Sequence, residues 1–138
     1  MARVGLLEDN ARIARLSATI LEFAGHSVTT YAQGCALLEV FSTPSSHTSL
    51  CVPALPLDVV ILDLFLPDMS GIEVIRSLQV NEHTRSLPVI FCTAANSYEI
   101  KEALCVAPHA CVVEKPFKLH ALVEAVRIAV KTRDEQKI

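Results

Sequence analysis

The chain predicts an α/β domain built on a doubly wound, five-stranded parallel sheet with helices on both faces. Three observations lead there. Short strand-like runs and longer helix-like stretches alternate five times along the 138 residues. Several of the strand runs, Val59-Val60-Ile61-Leu62 among them, are apolar throughout rather than alternating, as strands covered on both faces are. Polar groups fit for chemistry stand just past these runs, where an open α/β sheet keeps its functional crevice.

Each element has its own signal. Residues 3–7 read as a strand, and residues 10–24 as a helix with Ile13, Leu16, Ile20 and Phe23 on one stripe and Gly25 as a left-handed stop. Residues 27–31 are short and β-branched, hence a strand; residues 34–41 form a shorter helix carrying Leu37, Leu38 and Phe41. Residues 42–56 hold three prolines and many Ser and Thr, and read as a tolerated surface loop with His47 solvated in it. Residues 58–62 are a strand ending at Asp63, followed by a helix over 70–80 whose Ser70 and Glu73 have capping-box spacing. A strand over 88–92 leads to a helix over 96–107, with Asn96 and Glu99 again three apart. A strand over 110–113 precedes the last helix, 117–131, with Leu119, Leu122, Val123, Val126 and Val130 facing inward.

Composition narrows the function. The chain is 51% hydrophobic, enough for a sizeable core, and its net charge of −3 has no basic run within it, which argues against direct nucleic-acid binding. The five cysteines are odd in number and show no C-x-x-C spacing, so neither a disulfide framework nor a zinc site is suggested. Cys92, Cys105 and Cys111 read as small buried hydrophobes, and free thiols fit a reducing, cytoplasmic location. Acids arrive at Glu8 and Asp9 before any long apolar stretch, so no secretory signal is visible, and no run is long enough to span a membrane.

The chemistry lies at the strand ends. Glu8 and Asp9 follow the first strand, Asp63 the third, Thr93 the fourth and Lys115 the fifth. Each alone has an ordinary reading, as a helix cap, a helix-entry hydroxyl or a solvated cation. Together they form a set suited to one task. Three carboxylates brought into one crevice repel each other unless a cation joins them, and Mg²⁺ prefers such oxygen ligands, with water and phosphate oxygens completing its shell. An aspartate held there can act as a nucleophile toward a phosphoryl group. Lys115 and the Thr93 hydroxyl could then steady the phosphoryl oxygens.

These residues resemble the receiver domain of bacterial two-component response regulators. The likeness rests on the Glu8-Asp9 pair, the run VVILDLFLPDMSG from Val59 to Gly71, Thr93-Ala94, and Lys115-Pro116-Phe117. It implies a flavodoxin-like (βα)5 fold over residues 1–131, with 132–138 as a polar tail or the start of a linker. It implies that Asp63 is the phosphoacceptor, with Mg²⁺ (or Mn²⁺) held by Asp9, Asp63 and the Phe65 backbone carbonyl, and by Glu8 through water. Thr93 and Lys115 would contact the phosphoryl, and Lys115-Pro116 would be a cis peptide aiming the lysine into the crevice. Pro67 and Gly71 match the family's turn, Gly71 lending backbone latitude.

The resemblance further implies a regulatory domain that catalyses only its own phosphoryl transfer and slow dephosphorylation. Its donor would be a sensor histidine kinase or a histidine phosphotransfer protein, or a small donor such as acetyl phosphate. Its output would be a conformational shift, often with homodimerisation, of the face built from the fourth helix, fifth strand and fifth helix. Two departures stand out. Val112 occupies the position where the family usually places Tyr or Phe, so the switch region of Thr93, Val112 and Tyr98 lacks the usual ring, with Tyr98, near the start of the fourth helix, as a candidate substitute. Phe65 and Ala95 hold two positions that tune phosphoryl lifetime; both are apolar and predict slow self-hydrolysis. A docking-only receiver is the rival reading. A dehalogenase-type phosphatase would want a second aspartate where Phe65 stands, and a dinucleotide enzyme would want a G-x-G-x-x-G after the first strand.

Overall fold

The computed structural model describes residues 2–42, 57–81, 84–93, 96–114 and 119–136. Five strands and five helices alternate: β1 (Arg3–Leu7), α1 (Ala11–Phe23), β2 (Ser27–Tyr31), α2 (Gly34–Ser42), β3 (Val59–Leu62), α3 (Gly71–Val80), β4 (Val89–Thr93), α4 (Ser97–Val106), β5 (Cys111–Glu114) and α5 (Leu119–Gln136). The strands form one parallel sheet in the order β2-β1-β3-β4-β5. The order reverses between β1 and β3, so the crevice of this sheet opens where those two strands end.

The apolar runs serve two cores at once, because successive side chains of a strand point to opposite faces. Leu6, Val59, Ile61, Ile90 and Cys92 pack with Ala14 and Leu21 of α1 and with Leu122, Ala125, Val126 and Ala129 of α5. The residues between them, Leu7, Val60, Leu62 and Phe91, pack on the other face with Leu37 of α2, Val74, Ile75 and Leu78 of α3, and Ala103 of α4. The central strand β3 is thus apolar and buried at every position, whereas the edge strand β2 (Ser27–Tyr31) is largely exposed.

The helix ends are set by their caps. Asn10 caps α1, its side chain accepting from the N–H groups of Arg12 and Ile13 at 3.0 and 3.2 Å, and Gly25, at φ +99°, turns the chain out of it. Asn96 and Glu99 form a full capping box on α4, each side chain accepting from the other's N–H at 2.9 and 3.2 Å. Ser70 caps α3 but accepts from Ile72 N–H at 3.1 Å, one residue short of the expected Glu73 pairing.

Three expectations change. The stripe of α1 that faces the sheet is Ala14, Ser17 and Leu21 rather than Ile13, Leu16, Ile20 and Phe23. Leu16 is half exposed and Phe23 is 94% exposed. Both stripes have helical spacing, but only the small one lets α1 sit close to the sheet and beside the alanine-rich face of α5. Cys105 is exposed rather than buried, because it stands two positions, about 200° round the helix, from buried Ala103. The last helix runs to Gln136, past the boundary read at residue 131, and its expected start at Phe117 lies outside the described residues. From residue 43 on, the stretch read as a loop lies outside the described residues, with His47 and Cys51 in it.

Candidate phosphoacceptor and metal site

The register of the two central strands builds the site. Leu7 of β1 lies beside Leu62 of β3, so the residues that follow, Glu8 and Asp63, leave the sheet side by side. Asp63 N–H donates to Leu7 O at 3.3 Å and Glu8 N–H to Tyr31 O at 3.0 Å, which fixes both chain exits. One carboxylate oxygen from each of Glu8, Asp9 and Asp63 lies within 4.8 Å of the other two. Glu8 and Asp63 are buried and Asp9 is exposed, so the cluster opens to solvent on one side.

Asp63 is 8% exposed, and its Oδ1 accepts two hydrogen bonds. One comes from the N–H of Phe65 and the other from the hydroxyl of Thr93, both at 3.1 Å. Thr93 is fully buried at the end of β4, two residues beyond Phe91, the partner of Leu62 in the β3 register. Its hydroxyl is thus part of the site in the form seen here. Glu8 Oε2 accepts from Asn10 N–H at 3.5 Å, a long contact that links the acid pair to the start of α1.

The loop from Asp63 to Gly71 is closely packed. Gly71 N–H donates to Leu64 O at 2.9 Å, and a Cβ on Gly71 would stand 2.5 Å from Asp63 O and 2.7 Å from Leu64 Cα. Close approach of two backbones, rather than an unusual dihedral, is why glycine stands there; among the described glycines only Gly25 has a positive φ. Asp68, whose role sequence reasoning missed, reaches across to α2, its two oxygens accepting from the N–H groups of Gly34 and Cys35 at 2.9 and 3.0 Å. These bonds hold its carboxyl below the usual range, with a smaller contribution from the Cys35 thiol. A partner 34 positions away leaves no local sequence signal.

The remaining site residues divide in two. Phe65 is about half exposed at 53%, Tyr98 is 76% exposed near the start of α4, and Val112 is half-buried beside Phe91 in the β4–β5 pairing. Lys115, Pro116 and Ala95 lie outside the described residues. Three hard carboxylate donors at one rim, open on one side, fit a Mg²⁺-sized oxygen site. Cavity size alone would not pick it out: a cavity of about 460 Å³ touches Glu8 and Asp9, but one of about 450 Å³ opens at the opposite rim, beside Leu87 and Cys111.

Comparison with known proteins agrees with this geometry. Residues 4–127 match the family described as the response regulator receiver domain. The aerobic respiration control sensor protein ArcB of Escherichia coli is 30% identical over 131 residues, covering 95% of this chain and 15% of that protein. The uncharacterized transcriptional regulatory protein YkoG of Bacillus subtilis is 30% identical over 126 residues, covering 91% of this chain and 50% of that one. The chain therefore spans half or less of the length of these relatives. Among solved structures, a CheY-like receiver domain protein from Methanospirillum hungatei superposes with a TM-score of 0.80 at 20% identity, covering 99% of this chain and 98% of that one. The Francisella response regulator 1452 receiver domain gives 0.77 at 25% identity, with 96% and 98% covered.

Proposed function

The chain belongs to the response regulator receiver domain family of two-component systems, and from that premise we propose that it is a switch set by phosphorylation of Asp63. The donor is a phosphohistidine on a sensor kinase or a histidine phosphotransfer protein. One observation carries the reading: Glu8, Asp9 and Asp63 place carboxylate oxygens within 4.8 Å of one another, with the Thr93 hydroxyl 3.1 Å from the Asp63 carboxylate.

A carboxylate oxygen of Asp63 attacks the phosphorus, forming an acyl phosphate as the P–N bond to the donor imidazole breaks and its electron pair returns to the ring nitrogen. Asp9, Asp63 and the Phe65 carbonyl would hold Mg²⁺, with Glu8 contributing through water; when bound, the ion would neutralise phosphoryl oxygens and relieve repulsion among the acids. Phe65 N–H, which now binds Asp63 Oδ1, keeps the acceptor's rotamer fixed and shortens the search for an attack geometry. The Thr93 hydroxyl turns from the carboxylate to a phosphoryl oxygen, and Lys115 supplies a second cationic contact. Because the transfer parts belong to this domain, a small donor such as acetyl phosphate serves as well.

Turning Thr93 is the start of the switch. It shifts the end of β4 against β5, where Thr93 pairs with Glu114 and Phe91 with Val112, and so biases the face of α4, β5 and α5 toward partner binding or homodimerisation. Phe65 and Ala95 cannot orient an attacking water, so the acyl phosphate is long-lived; decay within seconds without a phosphatase would contradict this. The chain acts in the cytoplasm, and among the described residues no helix is long and apolar enough to cross a membrane.

Val112, which has no ring to swing into space vacated by Thr93, favours the second reading, a receiver that only docks. Acetyl phosphate with Mg²⁺, followed by intact mass, separates the two. The switch predicts one phosphoryl group on wild type, and none on Asp63→Ala or after chelation. An unlabelled wild type, or equal labelling of Asp63→Ala, would refute it.

A further inference from the structure

The loop that carries Phe65 is tied down at three points. At one end, Asp63 Oδ1 accepts from Phe65 N–H at 3.1 Å. At the other, Gly71 N–H donates to Leu64 O at 2.9 Å. Between them Asp68 reaches out of the loop to α2 and accepts from its first two N–H groups, those of Gly34 and Cys35. Those groups have no acceptor within their own helix, and a carboxylate suits the positive end of a helix dipole. A hydrophobic contact lies beside the polar one. Gly34 is buried against Met69, so closely that a Cβ there would stand 2.7 Å from Met69 Cγ. The loop is therefore clamped to α2 by a charged pair of bonds and an adjoining side chain.

We infer that Asp68 is a positioning residue for the metal site: its clamp on α2 holds the segment between Asp63 and Asp68 so that the Phe65 carbonyl stays ready to bind the ion. The inference rests on the reading of Asp63 and Mg²⁺ proposed above. With the clamp cut, the ties at Phe65 N–H and Gly71 N–H remain but nothing holds the stretch between them to α2, and only part of the population presents the Phe65 carbonyl correctly. The apparent Mg²⁺ dissociation constant rises as the inverse of that fraction, so a competent fraction of about one fifth weakens binding about fivefold. A merely structural cap would lower the unfolding midpoint and leave the Mg²⁺ affinity of the folded protein unchanged.

The test is a Mg²⁺ titration of the full chain by calorimetry, paired with acetyl phosphate labelling rates at limiting and saturating Mg²⁺. Asp68→Ala is expected to bind Mg²⁺ about fivefold more weakly and to label slowly at limiting ion, yet within about twofold of wild type at saturation. Asp68→Asn, which keeps one acceptor for α2, is expected to fall between the two. If Asp68→Ala does not fold, Asp68→Asn carries the test alone, with weaker Mg²⁺ binding required of it. Wild-type affinity in the folded variants, or a labelling defect that saturating Mg²⁺ does not repair, would overturn the inference while the Asp63 reading stands. A wild type that takes up no phosphoryl group would remove the reading itself and this inference with it.

Discussion

Gly71→Ala should destabilise the protein and disturb its site together, although most glycines at the start of a helix can be replaced with a gain. Two effects favour alanine. It suits helices better than glycine by up to about 1 kcal/mol, and part of that same gain comes from the lower entropy of the unfolded chain. Against it stands the space. The new methyl would lie 2.5 Å from Asp63 O, 2.7 Å from Leu64 Cα and 2.9 Å from Leu62 Cδ1. The first two are backbone atoms and cannot rotate aside, so the loop or the helix must shift; overpacking of this kind costs about 1–3 kcal/mol. The net expectation is a loss of about 1–2 kcal/mol, or a fall of about 3–8 °C in the thermal midpoint for a domain this size. Gly25→Ala is the control, because Gly25 has φ +99° and nothing within 4 Å of its missing Cβ. There the cost is backbone strain alone, about 1 kcal/mol, and Mg²⁺ binding should be untouched. Thermal unfolding in chelator, followed by Mg²⁺ titration, reads both quantities. A Gly71→Ala protein as stable as wild type, with unchanged Mg²⁺ affinity, would show that the Asp63–Leu64 backbone does not press on α3.

Three further expectations follow from single contacts. His26 Nδ1 accepts from Ala2 N–H at 3.1 Å, and burial, with the nearby N-terminal ammonium, lowers its pKa below 6.5. The unfolded chain then binds the extra proton first, so this contribution is present above pH 6.5 and is lost as pH falls through the lower folded value. The urea midpoint should therefore drop more steeply below that pH in wild type than in His26→Asn; parallel curves would contradict it. The Asp68 carboxylate, by hydrogen bond first and then by charge, raises the pKa of the exposed Cys35 thiol. Alkylation of Cys35 near pH 8 should thus be faster in Asp68→Asn than in wild type; a rate indifferent to that substitution would be the adverse result. Asn96→Ala removes the acceptor for Glu99 N–H and should cost about 1 kcal/mol in urea unfolding, and a loss within error would mean that the box contributes nothing.

The order of elements was legible because each strand and helix leaves its own period in the sequence, and nearly every boundary falls within two residues of the reading. The reading was weaker where two periodic stripes share a helix. In α1, size suggested Leu16 and Phe23 as the buried side, yet Ala14, Ser17 and Leu21 face the sheet. Hydrophobicity ranks the larger stripe first, whereas packing against a close neighbour ranks the smaller one, and the neighbour is α5, about a hundred residues away. The same local bias misplaced Cys105, whose apolar surroundings in sequence are not its surroundings on the helix. It also placed the α3 box at Ser70 and Glu73, although the serine side chain settles on Ile72 N–H instead.

The site was legible to a different degree. Its members could be picked out because a parallel sheet delivers the residue after each strand to one rim, so a carboxylate after β1 and another after β3 must be neighbours once the order puts those strands together. What fixes their distances is register, and register depends on the two cores rather than on the acids. Leu7 beside Leu62 is a packing outcome, and it is this pairing that sets Glu8 against Asp63. Asp68 was invisible for the converse reason. Nothing in Pro67-Asp68-Met69 distinguishes a turn residue from a tertiary cap until α2 is laid beside the loop, and what lays it there is again hydrophobic: Met69 on Gly34. The charged groups perform the chemistry, but their geometry is inherited from apolar contacts next to them. Substitutions at Leu7, Leu62 or Met69, none of which carries a charge, should therefore alter metal affinity as surely as substitutions among the acids.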